Sequence, residues 1–219
     1  MRKTSSRAGG RGRPKRELTR ERIMKAARAV FAHHPYHSAS MRMIGRAGKF
    51  DHALIRYHFP SKAKLFGALL AEVCDELVEA NRSCLEGLAG LPPDGAIARY
   101  LDRFLDYHDD HPAALRIITL NIALADRPDA IPGYRRIPEV LTRTRETFEQ
   151  ALPVPAPADE VARYHYAFNN LLINFLGAGS CQMIILGMKG RDADYRAWVK
   201  KTMTFLFLPP LKKLMGESG

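Results

Sequence analysis

Apolar residues recur along most of this 219-residue chain at intervals of three and four, the spacing that places them on one face of an α-helix. No stretch alternates apolar and polar residues convincingly enough to predict a β-strand. The first clear stripe follows Thr19, a predicted N-cap, and consists of Ile23, Ala26, Ala27, Val30 and Phe31. A long helix is predicted after Ser61, and later ones at residues 95–108, 112–126, 133–151, 159–187 and 192–215. The pattern predicts an all-α fold.

Residues 40–59 contain two short helical patterns separated by a tight turn. Ser40 and Asp51 are suitable N-caps for the two helices, and Gly48 suits the end of the first. Burial of Ile55 and Phe59 leaves the rest of the second helix facing outward, a mixture of cationic, hydrogen-bonding and apolar groups: His52, Ala53, Leu54, Arg56, Tyr57 and His58. This pattern is typical of a helix-turn-helix that enters the DNA major groove.

The positive charge of the chain is concentrated in its first part. Residues 1–64 contain 17 Lys or Arg and 3 acidic residues, a net of +14, whereas residues 65–219 contain 17 and 20, a net of −3. A basic N-terminal module of this kind binds DNA phosphates and releases their condensed counterions. A basic tail kept for solubility would explain only residues 1–16, which are predicted to be a disordered arm. Arg11 and Arg13 lie in the string RGRPK, which suits either insertion into an A·T-rich minor groove or loose phosphate attraction.

The stretch from Thr19 to about Leu70, which ends in YHFPSK and an apolar helix, resembles the TetR family of transcriptional regulators. The resemblance implies an all-helical homodimer with an N-terminal three-helix, helix-turn-helix DNA-binding domain and a C-terminal helical ligand-sensing and dimerisation domain. We place the boundaries at residues 1–16 for the arm, 17–63 for the DNA-binding domain with its motif at 40–59, and 64–219 for the regulatory domain.

The resemblance also implies roles for individual residues. Arg42 matches a position that contacts a base or a phosphate, and Arg56 is expected to contribute most to base specificity. Lys49 stands in the turn where glycine is common, and Arg56 stands where many members have tyrosine. The base-contacting positions are matched by His52, Ala53, Leu54 and Arg56, and the phosphate-contacting ones by Tyr57, His58 and Lys62; with Arg11, Arg13, Ser40 and Arg42 these are the predicted DNA-binding residues.

The last two predicted helices carry more apolar residues than one helix pair can bury in a monomer. They are expected to form a four-helix interface between two subunits, with residues 177–180 allowing a close crossing. The alternative is an ordinary monomeric core built from the same residues. The apolar run 171–188 contains Asn174, Ser180 and Gln182, which favours a central buried helix over a membrane span.

Polar residues among apolar ones in the later helices suggest a ligand cavity. Ligand sites are mostly apolar with a few placed polar groups, so a small apolar or amphipathic effector is the predicted ligand. Each such residue is also explained as a satisfied core side chain. The predicted ligand-binding residues are Asn121, His165, Phe168, Asn169 and Phe175.

Catalysis finds little support in the sequence. The clusters His108–His111 and His33, His34, His37 lack further ligands at metal spacing, and no glycine-rich phosphate loop is present. No cofactor or metal is expected, and three cysteines with a basic, polar start predict a cytoplasmic protein. The predicted function is a repressor that binds a palindromic operator in double-stranded DNA and is released by an effector. The alternative is a constitutive, weakly specific DNA-binding protein that depends on its basic arm.

Overall fold

The computed structural model describes residues 15–122, 127, 129–152 and 154–216, and every regular element within those ranges is an α-helix. The predicted all-α fold is thereby confirmed. Most of the predicted basic arm, including Arg11 and Arg13, lies outside the described residues. The helices, in chain order, are α1 (Lys15–Phe31), α2 (Met41–Gly48), α3 (His52–His58), α4 (Lys62–Leu85), α5 (Pro93–Asp110), α6 (Pro112–Ile122), α7 (Arg136–Ala151), α8 (Ala158–Gly177), α9 (Gly179–Ile185) and α10 (Asp192–Leu214).

Helix α1 buries the apolar stripe that the sequence predicts, and all five of its residues are at most 8% exposed. The helix begins at Lys15, however, and not after Thr19. Residues 15–18 are good helix formers, and Glu17 places a negative charge in the first turn, where the helix dipole favours it. Lys15 and Arg16 therefore belong to α1, and the predicted arm boundary at residue 16 lies two residues too late.

Helix α4 joins the N-terminal helices to the rest of the chain. The Ser61 side chain accepts a hydrogen bond from the Lys64 backbone N–H and caps the helix, as the sequence predicts. Arg28 of α1 forms ion pairs with Glu72 and Glu76 of α4, at 3.0 and 2.6 Å. These ion pairs fix α4 to the N-terminal bundle, and α4 also packs against α5 and α7.

The predicted helix over residues 159–187 is two helices in the structure, because the chain bends at Ala178 between Gly177 and Gly179. A Cβ atom on Gly177 would overlap Thr119 Oγ1 and lie 2.9 Å from the Leu115 carbonyl oxygen. Gly177 therefore permits close packing of α8 on α6 within one chain, which corrects its predicted place at a crossing between subunits. The prediction of a central buried helix over 171–188 is also wrong, since α9 lies largely at the surface.

Much of the apolar surface assigned to a dimer interface is buried within the chain itself. Helices α8 and α10 pack against each other, with the Phe168 and Phe207 rings 5.1 Å apart. What remains is a set of exposed apolar residues on α8, α9 and α10, here termed the apolar surface: Tyr166, Ile184, Ile185, Leu186, Phe205 and Leu206. No helix among the described residues is long and apolar enough to cross a membrane.

Candidate nucleic-acid interface and inner cavity

The helix pair α2–α3 begins and ends as its sequence predicts. Ser40 Oγ accepts a hydrogen bond from the Met43 N–H at 3.3 Å, and Asp51 Oδ1 accepts one from the Ala53 N–H at 3.2 Å. Ser40, a predicted DNA-binding residue, is thus also the N-cap of α2. Between the helices Ile44 and Ile55 are fully buried, which fixes how the pair lies on α1 and α4.

The turn between α2 and α3 has a left-handed residue, Lys49, with φ 55° and ψ 46°. The Lys49 N–H bonds to the Arg46 carbonyl and the Phe50 N–H to the Gly45 carbonyl, which is the Schellman arrangement. Gly48 is required for a different reason from the predicted one. A Cβ atom there would overlap the Phe50 ring and lie 2.9 Å from Ala26 Cβ, so Gly48 allows α2 to approach α1.

Helix α3 exposes most of the residues predicted to contact DNA. Tyr57 is 65% and Leu54 39% exposed, and His58 is half-buried. Arg42 and Arg56 are exposed and form no ion pair within the described ranges. We call this surface the α2–α3 face; its exposed residues are Arg42, Arg46, Lys49, His52, Ala53, Leu54, Arg56 and Tyr57.

Sequence reasoning missed several cations on and beside this face. Arg46 follows Arg42 by one helical turn and lines the same shallow groove, so the i, i+4 spacing was a usable signal. Helix α1 adds three arginines whose guanidinium groups lie over aromatic rings of the helix pair. The distances from guanidinium carbon to ring centroid are 5.5 Å for Arg16 on Tyr57, 5.1 Å for Arg20 on Phe59 and 5.3 Å for Arg22 on Phe50.

Lys62 has a structural role that the sequence did not reveal. Its Nζ donates hydrogen bonds to the Tyr36 and Ala39 carbonyl oxygens, at 2.7 and 2.9 Å, and lies 4.4 Å from the centre of the Tyr36 ring. Burial lowers the pKa of this ammonium group. Lys62 therefore holds the segment that leads into α2, whatever contact it also makes with a phosphate.

Two side chains of α6 bond to the same part of the N-terminal bundle, a region we call the junction. Arg116 donates from Nε to the Ala32 carbonyl at 2.6 Å and from Nη1 to Ser180 Oγ at 3.2 Å. Asn121 accepts from the Tyr36 N–H at 2.8 Å and donates to the Ile117 carbonyl at 2.7 Å. Asn121 was predicted to bind ligand, but its amide is already occupied, with the oxygen bonded at the junction and the nitrogen bonded within α6.

An inner cavity of about 30 Å³ lies between α4, α5, α7, α8 and α10. His165, Phe168 and Asn169, all predicted ligand-binding residues, line it. Phe175 does not, because its ring packs on Trp198 with centroids 5.2 Å apart. The remaining lining residues include none with a charged side chain: Asn81, Leu85, Leu88, Ala96, Ile97, Tyr100, Phe148, Leu152, Tyr164 and Leu211.

Two polar side chains of the cavity are bonded to each other, and one buried nitrogen of a third has no partner. The Tyr100 hydroxyl donates to Asn81 Oδ1 at 2.9 Å, and Asn81 Nδ2 reaches the Thr144 carbonyl at 3.4 Å. His165 Nε2 is buried without a hydrogen-bond partner. Burial, with the nearby charge of Arg145, lowers the pKa of His165 to about 4, so the ring is neutral near pH 7. Asn81 was not predicted, although it stands alone as a polar residue on the apolar stripe of α4.

The histidine clusters weighed as metal sites have other roles. Asp109 of the first cluster forms an ion pair with Arg196, which also pairs with Asp106. Across the ranges that the structure describes, no group of three or more His, Cys, Asp or Glu is arranged to hold a metal ion. The three cysteines are free thiols, two of them buried.

A sequence model described as "Bacterial regulatory proteins, tetR family" matches residues 23–69, which include α2, α3 and the start of α4. The chain is 31% identical over 103 residues to the HTH-type transcriptional repressor SCO4008 of Streptomyces coelicolor, covering 47% of this chain and 48% of that protein. It is 33% identical over 70 residues to the HTH-type transcriptional regulator UidR of Escherichia coli, covering 32% and 36%. The chain thus spans half or less of the length of these curated relatives.

Solved structures resemble the whole fold. A TetR-family regulator from Mesorhizobium loti superposes with a TM-score of 0.65 at 19% identity, covering 91% of this chain and 98% of that one. A TetR-family regulator from Streptomyces coelicolor gives a TM-score of 0.62 at 14% identity, covering 93% and 90%. At such identities the likeness extends the shared fold through the C-terminal helices but carries no ligand across.

Proposed function

Since this chain belongs to the TetR family of bacterial regulatory proteins, we propose that it is a sequence-specific DNA-binding repressor that a small molecule releases from its operator. The observation that carries the proposal is the α2–α3 face, where exposed cations stand beside hydrogen-bonding and apolar side chains. Phosphates attract the cations, and base edges in the major groove are contacted by the mixed set. A surface kept only for solubility would not need exposed Leu54 and Tyr57 on the same short helix.

The contacts divide into those that specify sequence and those that position the protein. Arg56 and Arg42 are the base-contacting candidates, because an arginine can bond to guanine through two hydrogen bonds. We assign the phosphate contacts to Tyr57, His58 and the α1 arginines beside the α2–α3 face. Such contacts fix the register of the protein on DNA without carrying sequence information. Arg11 and Arg13 are assigned to the neighbouring minor groove.

A palindromic operator requires two copies of the α2–α3 face. The apolar surface of α8, α9 and α10 supports dimerisation, since exposed side chains such as Phe205, 78% exposed, gain most by burial against a second subunit. The two α3 helices would then enter successive major grooves about 34 Å apart.

The inner cavity supports regulation because it touches α4, which begins four residues after α3 ends. Asn81 of α4 is bonded to Tyr100 and contacts Thr144 of α7, so a ligand that separates these groups shifts α4. The junction bonds of Arg116 and Asn121 hold α6 to the backbone just ahead of α2. Movement of α4 against α6 would therefore change the separation of the two α3 helices and lower affinity for the operator.

The test is a footprint of the purified protein on the DNA that flanks its own gene, at physiological salt with a random fragment as competitor. The Arg56→Ala variant is compared with Arg99→Ala, which removes an exposed arginine from α5. We expect a protected inverted repeat, and a loss of about 1–3 kcal/mol of discrimination at one base pair per half-site for Arg56→Ala only. Uniform protection that follows salt and ignores sequence would instead identify a weakly specific protein that depends on its basic arm.

A further inference from the structure

The hydrogen-bonding character of the inner cavity is set by His165. The side chain is only 5% exposed, and its Nε2 atom has no partner. The Thr144 backbone raises the pKa of the ring, and a backbone group that does so is a carbonyl, which only accepts. Since Nε2 has no partner, we assign the hydrogen of the neutral ring to Nδ1, and the lone pair then lies on Nε2. The cavity therefore contains a buried acceptor that lacks a donor.

The surroundings offer no unpaired charge to a ligand, because Arg145, whose charge reaches His165, is already paired with Glu149 at 2.7 Å. The Tyr100 hydroxyl hydrogen is already given to Asn81, and the Asn169 amide donates to the His165 backbone carbonyl. Aromatic rings form much of the surface, with Phe148 and Phe168 among them. An ion entering this cavity would lose its hydration without gaining a partner of opposite charge, which is strongly unfavourable.

We propose that the ligand of the inner cavity is an uncharged aromatic molecule with one O–H or N–H donor, and that this donor bonds to His165 Nε2. The rings of Phe148, Tyr164 and Phe168 pack against the aromatic part. The inference rests on the proposed function only in giving this ligand the role of effector; the binding itself is independent of DNA.

The size of the cavity links this ligand to α4. About 30 Å³ holds one or two water molecules, so even a single aromatic ring must widen the space between the surrounding helices. The weakest polar contact around it is the 3.4 Å bond from Asn81 on α4 to the Thr144 carbonyl on α7. We expect ligand entry to break this contact and to separate α4 from α7.

Phenol, toluene and benzoate are the probes, because they share a ring and differ in donor and charge. Binding to the full-length protein without DNA is measured by isothermal titration calorimetry. One neutral hydrogen bond corresponds to a preference for phenol over toluene of about tenfold, and benzoate should bind least. In His165→Phe the preference should fall to onefold or below, because the buried donor then has no acceptor. His34→Phe, the same change at an exposed position, should keep the preference.

A second readout is the ¹⁵N chemical shift of His165 Nε2, which phenol should move toward the hydrogen-bonded range and toluene should not. Stronger binding of benzoate than of phenol, equal binding of phenol and toluene to the unmodified protein, or no binding of any probe would each overturn the proposal. If these fail while the footprint shows an inverted repeat, the ligand class is wrong and the DNA-binding function stands. If the probes bind as expected and no specific footprint is found, the ligand class stands and the proposed DNA-binding function is wrong.

Discussion

Replacing His165 by glutamine should remove a large part of the acid sensitivity of this protein's folding. The pKa of the buried ring is lowered to about 4, first by desolvation and then by the charge of Arg145, whereas an exposed histidine in the unfolded chain titrates near 6.5. Above pH 6.5 the ring is neutral in both states and contributes no pH dependence. Between pH 6.5 and about 4 the unfolded chain binds a proton that the folded protein does not.

The magnitude follows from this interval. The free energy of unfolding falls by about 1.4 kcal/mol per pH unit across it, which gives a total of about 3 kcal/mol. The assay is urea denaturation followed by circular dichroism at several pH values from 7 to 4, at one fixed protein concentration because a dimer's stability depends on it. Other groups titrate equally in both proteins and cancel when the two curves are subtracted.

The exposed residue His34 supplies the control. The free energy of unfolding of His34→Gln should change with pH in the same way as that of the unmodified protein. Relative to His165→Gln, the unmodified protein should lose about 3 kcal/mol of stability between pH 6.5 and 4. A difference that stays constant with pH would refute the reasoning, because it would mean that the ring is protonated as easily in the folded protein as in the unfolded chain.

Three further outcomes are expected. Lys62→Met should lower the free energy of unfolding without DNA by about 1.5–3 kcal/mol, because the Tyr36 and Ala39 carbonyl oxygens lose their charged donor; unchanged urea denaturation would mean that Lys62 acts only as a phosphate contact. Lys49→Gly should raise stability by about 1 kcal/mol in the same assay, since glycine adopts the left-handed conformation without cost from a Cβ; destabilisation would contradict the turn geometry. Phe205→Asp should shift sedimentation from dimer toward monomer, whereas an unchanged dimer would place the interface elsewhere.

The N-terminal bundle could be predicted almost completely from the sequence. Its signals are local, since caps such as Ser40 and Asp51 act within three residues and the apolar stripes need only helical spacing. The predicted exposed face of α3 agrees with the structure for the same reason. Gly48 shows the limit, because its role depends on the distance to Ala26 in another helix.

The structure of the C-terminal domain could not be predicted from helical spacing alone, because it depends on contacts between residues far apart in the chain. The helix breaks at Ala178, next to Gly177, whose close packing on Thr119 joins residues 58 positions apart. Polarity alone placed Asn121 and His165 in the same predicted cavity, but the structure gives one to the junction and the other to the inner cavity. A polar residue on an apolar stripe indicates that some partner exists, and only the fold shows which.

The bonds at the junction run from side chains to main-chain atoms, and this decides which positions tolerate change. The side chains come from Arg116, Asn121 and Lys62. Their partners within residues 32–39 are main-chain carbonyl oxygens and one N–H, which every residue type except proline provides. A saturation mutagenesis scan should therefore find little tolerance at those three positions, where the side chain makes the bond. At the bonding partners the hydrogen bonds themselves exclude only proline at Tyr36, which lacks the N–H. Packing limits these partners separately, since Ala32 and Ala39 are buried and the Tyr36 ring lies against Lys62. The coupling between the domains thus constrains residues 32–39 through backbone and packing, and constrains α4 and α6 through the chemistry of three side chains.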